Sequence, residues 1–235
     1  MKYYLNRCYR MIATASMIAG LATMTASPAS ADGGRARVIP PNAHPYGASY
    51  SEWSARWWQW ALSLPVDQNP FFDENGSCAH GANGQTGQVW FLTGVINASG
   101  TAVRDCTVPV GKALFFPIIN VECSTLEAAP FHGNNEPELR ACTKDFNITN
   151  VSAKIDGVDV ADLERYRVES PLFDFKVPAN NTLGVPAGNG QSVSNGYYLL
   201  LTPLSVGKHE VTFGGTFPDF PFSLNITYHL TVSRK

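Results

Sequence analysis

The stretch SYSEWSARWWQWALSL, residues 49–64, holds four of the chain's five tryptophans. Whatever this segment packs against sets the fold. The spacing predicts one helix. Ser49 and Glu52 sit as in a capping box, where the serine side chain satisfies a first-turn N–H and the glutamate reaches back to the serine's own N–H. Pro65 ends the helix, because the residue before a proline is driven out of the α region. At about 100° per residue, Tyr50, Trp53, Trp57, Trp60, Ala61 and Leu64 fall in an arc of roughly 100°. Trp58 and Leu62 form a second apolar stripe, and Glu52, Arg56, Gln59 and Ser63 share the polar remainder. A helix apolar over more than half its circumference has to be covered on two sides. The first stripe is expected on a sheet, with Trp58 and Leu62 under the loop at 66–87. The other use of such rings is a stacking platform for sugars or flat ligands, with Trp58 the ligand-binding candidate.

Residues 1–31 read as a secretory signal peptide. Lys2, Arg7 and Arg10 make a basic start, Met11 to Met24 an apolar run, and Ala29-Ser30-Ala31 a small-residue cleavage site. The apolar run is too short for a comfortable membrane span, and no other stretch has transmembrane character. The expected location is therefore secreted or periplasmic, with no transmembrane segment once the signal is removed. Residues 32–48, rich in Gly, Pro and Ala, read as a flexible leader. The formal net charge is −2, and the signal carries basic residues away with it. No basic patch remains, which excludes nucleic acid as a natural partner.

Cys78, Cys106, Cys123 and Cys142 follow the signal. An even count in an exported chain predicts two disulfides. Three pairings are open. Cys78–Cys106 with Cys123–Cys142 is favoured, because each bridge then closes a local loop. No CxxC or HxxxH spacing supports zinc.

From Gln88 onward β signals dominate. Gln88–Ile96, Thr101–Val108 and Lys112–Ile119 read as strands, the last nearly all apolar and so buried on both faces. Pro117 inside it predicts a bulge or an edge. A short helical turn is expected at Glu138–Cys142. Asp156-Gly157 between Val151–Ile155 and Val158–Val160 is a hairpin signal. Tyr166–Val177 is broken by Pro171, Asn180–Gly196 reads as a long polar loop, and Tyr197–Leu204, Lys208–Phe213 and Phe222–Val232 read as strands. The expected fold is mostly β: an Ig- or jelly-roll-like β-sandwich, residues 49–235 as a single domain, with the N-terminal tryptophan-rich helix 49–64 packed on it.

The set ARWWQWALSLP, QVWFLTG, CTVPVGKALFFPIIN, LSVGKHEVTFGG and ITYHLTV resembles an uncharacterised group of exported bacterial proteins, over most of the mature chain. The resemblance implies an exported β-rich domain and brings no established catalytic residues.

Two loops concentrate chemistry. In Asp73–His80, Asp73 and Asn75 are hard oxygen ligands that would suit Ca2+, although Gly84 stands where an EF-hand loop needs its glutamate. Past the apolar strand, Asn120, Glu122 and Glu127 form the second group. A carboxylate fixed at the end of a buried strand beside Cys123 is placed to be preorganised, and partial burial would raise its pKa as a general base requires. Glu122 with His80 or His132 is the candidate acid/base set, provided the two loops converge. Asn120 and Glu127 join Trp58 as ligand-binding candidates. The alternative for Glu122 is a structural carboxylate paired with Arg104 or Arg140. No GxSxG, HExxH, Walker or dinucleotide motif is present. The expected function is an exported sandwich that binds a small molecule, a glycan or an envelope partner. The second expectation is a secreted hydrolase of an ester, lactone or glycoside, assisted by Ca2+.

Overall fold

A computed structural model describes residues 36–73, 76–96 and 99–234. The signal peptide and Asn75 lie outside the described residues. The helix predicted from the tryptophans is α1 (Tyr50–Ser63), opened by the Ser49/Glu52 capping box and followed by Pro65. Two five-stranded sheets face each other behind it. The chain is a β-sandwich with one long helix packed on it.

The first sheet contains β1 (Val89–Phe91), β3 (Ala113–Ser124), β6 (Arg167–Glu169), β7 (Phe173–Val177) and β8 (Gly188–Leu201). β8 is its hub, pairing antiparallel with β3 on one side and with β6 and then β7 on the other. β1 runs parallel to β3. The second sheet runs β2 (Thr101–Pro109), β10 (Phe222–Ser233), β9 (Gly207–Phe217), β4 (Thr149–Ile155) and β5 (Val158–Asp159). The Asp156-Gly157 hairpin joins β4 to β5, and β2 and β10 are parallel.

Burial follows from this layering. β2 alternates exposed and buried residues, because only one of its faces meets the core. β3 is buried on both faces. Phe115 meets Tyr50 and Trp53 of α1, with ring centroids 6.0 and 6.3 Å away, whereas its neighbour Phe116 meets Phe213 of the second sheet at 4.9 Å.

The first stripe of α1 packs on this sheet as expected. The second does not lie mainly under the 66–87 loop. Ala55 and Leu62 instead join Phe173, Phe175 and Val177, whereas Trp58 is shared, packing beside them and meeting Phe71 of the loop with ring centroids 6.3 Å apart. The reason is β7, whose alternating phenylalanines supply a larger apolar face than the polar loop could. The loop is held by Trp60, whose Nε1 donates to the Asn83 carbonyl at 2.9 Å. Three further differences are local. β1 ends at Phe91, well short of Ile96. The helical turn at 138–142 extends to α2 (Glu136–Lys144), capped by Asn135. The polar stretch 188–196 is not loop but the first part of β8.

Both disulfides have the favoured pairing, Cys78–Cys106 and Cys123–Cys142. Among the described residues no helix is long and apolar enough to cross a membrane.

Candidate functional site

Pro117 governs where the chemistry falls. The pairing of β3 with β8 slips by one residue between Pro117 and Ile119. Before the slip Phe115 and Pro117 lie opposite Leu200 and Tyr198; after it Asn120 and Glu122 lie opposite Gly196 and Ser194. The extra residue therefore turns Asn120 and Glu122 onto the face that carries α1, where an unbulged strand would aim them between the sheets. β1 pairs only with Ala113–Phe115, so the edge of β3 beyond it is bare of a strand partner among the described residues.

A cavity of about 380 Å³ lies along this edge. Its walls are mostly apolar: Trp57, Trp58 and Phe71 on one side, Phe131, Phe146, Phe217 and Leu224 on the other, with the half-exposed Ile96 and Phe220. Asn120, Glu122, Glu127 and Thr182 make its polar part. Four residues named from the sequence, Trp58, Asn120, Glu122 and Glu127, thus meet on one cavity.

Each polar group has an identifiable support. Glu122 is only 4% exposed; its Oε2 accepts from the Ser192 hydroxyl, which points also to the Cys123 carbonyl at 2.9 Å. Glu127 returns over Glu122 because the chain turns tightly on Ser124. The Ser124 hydroxyl accepts from the N–H groups of Leu126 and Glu127 at 3.4 and 3.3 Å and donates to Glu127 Oε2 at 2.8 Å. Asn120 Nδ2 donates to the Tyr198 hydroxyl at 2.9 Å. Gly196 allows this close approach, since a Cβ there would lie 2.5 Å from the Asn120 Cα.

Electrostatically the site is a carboxyl pair without a cation. Burial, and secondarily the neighbouring charge of Glu127, holds the Glu122 carboxyl well above the usual carboxylate range. Burial also raises Glu127, opposed by hydrogen bonds from Glu122 and Ser124 and by the nearby His132. Two such carboxyls favour one shared proton over two negative charges. Burial pushes the Tyr198 hydroxyl up to about 12, so it remains a neutral donor. No lysine or arginine lines the cavity. Arg104 is fully buried and binds the carbonyls of Asp73, Thr93 and Gly94 and the Tyr228 hydroxyl; Arg140 pairs with Glu136 and Glu169.

The two histidines are placed elsewhere. His80 Nδ1 lies 2.7 Å from Asp73 Oδ1, and its backbone N–H donates to Oδ2 of the same carboxylate at 3.0 Å. The Asp73 carboxylate is thus engaged by His80. His132 sits by Asn134 at 3.2 Å, close enough to affect Glu127, but neither histidine lines the cavity. Among the described residues no three His, Cys, Asp or Glu side chains gather as a metal-holding group. A serine–histidine–aspartate row occurs at Ser205, His209 and Asp156, with contacts of 3.2 and 2.9 Å. The same His209 Nε2 also lies 3.0 Å from the Ser205 carbonyl, so it is shared between the two oxygens of Ser205 and not dedicated to the hydroxyl as in a triad.

Sequence reasoning missed Ser192 and Ser194, because 180–196 reads as loop, and it placed Tyr198 on a strand without a role in the site. The available signal was paired alternation: Ser192, Ser194, Gly196 and Tyr198 at period two, opposite Ser124, Glu122 and Asn120.

No family profile matches the chain, and no curated protein matches it. Among solved structures it is similar to amebosin (12% identity, 63% of this chain, all of that one, TM-score 0.22). It is similar likewise to PbICP-C, solved in complex with falcipain-2 (12%, 63% and 100%, TM-score 0.26). A third is a cysteine protease inhibitor from Entamoeba histolytica (13%, 62% and 96%, TM-score 0.23). Overlaps this slight carry no argument about what this chain does.

Proposed function

We propose that this chain is an exported binding module that takes a small amphipathic molecule into the cavity beside β3. One observation carries the reading. Three buried polar groups of this cavity are poorly satisfied: Thr182 Oγ1 has no partner among the described residues, Trp58 Nε1 has only the Tyr198 hydroxyl near it, and the second oxygen of Glu122 has only the Glu127 carboxyl. Each such atom costs roughly 1–3 kcal/mol, and native proteins keep few of them. A ligand that supplies the missing partners regains that energy. The cavity volume lies at the small end of the range for small-molecule sites, and its mostly apolar walls with a few convergent polar groups are the usual composition of one. The tryptophans serve this site only in part: Trp57 and Trp58 line it, whereas Trp53 and Trp60 are buried in the core away from it, and together they present no open array for sugars.

A ligand-observed NMR screen of small amphiphiles against the full chain tests the reading. Binders are expected, and Leu183→Trp, which fills the cavity from a flanking loop, should abolish binding while the far-UV circular dichroism stays unchanged. Binders that are indifferent to Leu183→Trp would place the site elsewhere and end the proposal.

The carboxyl pair supports a second reading, a hydrolase in which one carboxylate takes a proton from water while its protonated partner donates to the leaving group. For a glycoside this is disfavoured, since carboxyls that share a hydrogen bond are closer than the roughly 5–5.5 Å of retaining enzymes. Turnover of small esters or lactones, lost in Glu122→Gln and in Glu127→Gln, would establish it. Binding without turnover would remove it.

A further inference from the structure

Carboxyl oxygens dominate the polar part of the cavity, beside the Trp58 N–H and the Thr182 hydroxyl. Glu122 and Glu127 together offer four carboxyl oxygens. Ser192 and Ser124 donate one side-chain hydrogen bond each, and a further one is shared between the two carboxyls. The Asn120 amide, the remaining strong donor on that face, is turned to Tyr198. Glu122 is almost wholly buried on the cavity wall, and its second oxygen has no donor other than the proton shared with Glu127. No lysine or arginine lines the cavity to balance charge on the carboxyl pair. Aromatic faces surround the same space, Trp57, Trp58, Phe71, Phe131 and Phe146. Such rings bind an apolar body and also attract a cation through their negative faces.

Resting on the small-molecule reading above, we propose that the ligand is an organic amine, a primary or secondary ammonium on an apolar or aromatic body, bound with its N–H groups on Glu122 and Glu127. Charge complementarity selects the cation. The carboxyl pair selects an ammonium with hydrogens, since a quaternary ammonium would satisfy the rings and give neither carboxyl a hydrogen bond. A carboxylate ligand meets repulsion, and a neutral alcohol supplies one hydrogen bond without the charge. The volume suits a single ring with a short side chain better than a long-chain lipid.

Isothermal titration of the full chain with four probes of one shape tests this: 2-phenylethylamine, its N,N,N-trimethyl analogue, 2-phenylethanol and 3-phenylpropionate. The expected order is the primary amine first, with each of the others at least tenfold weaker. Glu122→Gln should weaken the amine at least tenfold and leave the alcohol within about twofold; Glu127→Gln should do the same and guards against an effect of one substitution on folding. An alcohol that binds as tightly as the amine, with Leu183→Trp abolishing both, would overturn the amine assignment while the cavity reading survives. A trimethyl analogue equal to the primary amine would overturn the N–H contact to Glu122. If small amphiphiles of every charge fail to bind, both readings fall together.

Discussion

At the scale of single residues, Glu122 and Arg104 are two buried charges handled in opposite ways. Arg104 is fully buried and its guanidinium is spent on three carbonyls and two hydroxyls, which bind Asp73, Thr93, Gly94 and Tyr228 to one point. Arg104→Met should cost about 3–5 kcal/mol in urea denaturation, because it leaves those acceptors unpaired, and Arg104→Lys should not rescue it, having no planar fork. Glu122 is buried without such partners, and its pKa is raised by burial and by Glu127. A carboxyl whose folded pKa exceeds its unfolded value binds more protons when folded. Its contribution to stability is complete below the unfolded value of about 4.3 and is lost as pH rises through the folded value. Thermal unfolding should therefore show stability falling from pH 5 toward pH 8 in the native chain, with Glu127, the nearby His132 and Tyr198 in the same field. Glu122→Gln should flatten that slope and raise the melting temperature at pH 8 by about 2–4 °C for each 1 kcal/mol recovered. A slope unchanged by the substitution would assign the pH dependence to other groups. Glu122 was visible in the sequence as a carboxylate after an apolar strand; its pairing with Glu127 was visible only as nearness along the chain, and its burial without a basic partner not at all, since that depends on which groups the fold turns away.

At the scale of elements, α1 was legible because its signals are local: a cap, a stop and a 3.6-residue period. Ser49→Ala should cost about 1 kcal/mol, the usual value of an N-cap, read from chemical denaturation. Its second stripe was misassigned because a partner is a tertiary fact, and β7 lies far along the chain from α1. Leu62→Ala, at a fully buried position, should cost about 2–5 kcal/mol and expose β7 to hydrogen exchange before the 66–87 loop. Trp60→Phe should do the reverse, because it removes the hydrogen bond to Asn83 while keeping most of the core contact. If both variants loosen the same segment, the division of labour between the two stripes is wrong. The first part of β8 escaped the sequence reading for a related reason. Gly188–Gly196 carries small polar residues because Gly188–Gln191 stay partly exposed, while Ser192 and Ser194 spend their hydroxyls on Glu122 and Tyr198; strand propensity reflects burial, and this stretch lacks burial of the ordinary apolar kind.

At the scale of the whole molecule, the two disulfides do different work although they are alike in local reach. Each closes a loop whose chain-entropy contribution is about 3 kcal/mol. Cys78–Cys106 ties the loop that carries Asp73 and His80 to β2 of the second sheet, and neither cysteine lines the cavity. Cys123–Cys142 joins the residue after Glu122 to α2, and α2 is flanked by Phe131 and Phe146, whose rings stack at 5.2 Å to form one wall of the cavity. The pairing was legible from loop closure alone, but this asymmetry was not, because it depends on α2 lying against β3 and β8. Replacing either pair by serine should lower stability by a similar amount. Only Cys123→Ser with Cys142→Ser should also weaken ligand binding, by about tenfold or more, equivalent to about 1.4 kcal/mol, since its wall loses the covalent anchor that holds it preorganised. The comparison is made by titration at a temperature where both variants are more than nine-tenths folded by circular dichroism. Equal affinities in the two variants would mean that the aromatic wall holds itself in place, and that the bridge beside Glu122 serves the fold and not the site.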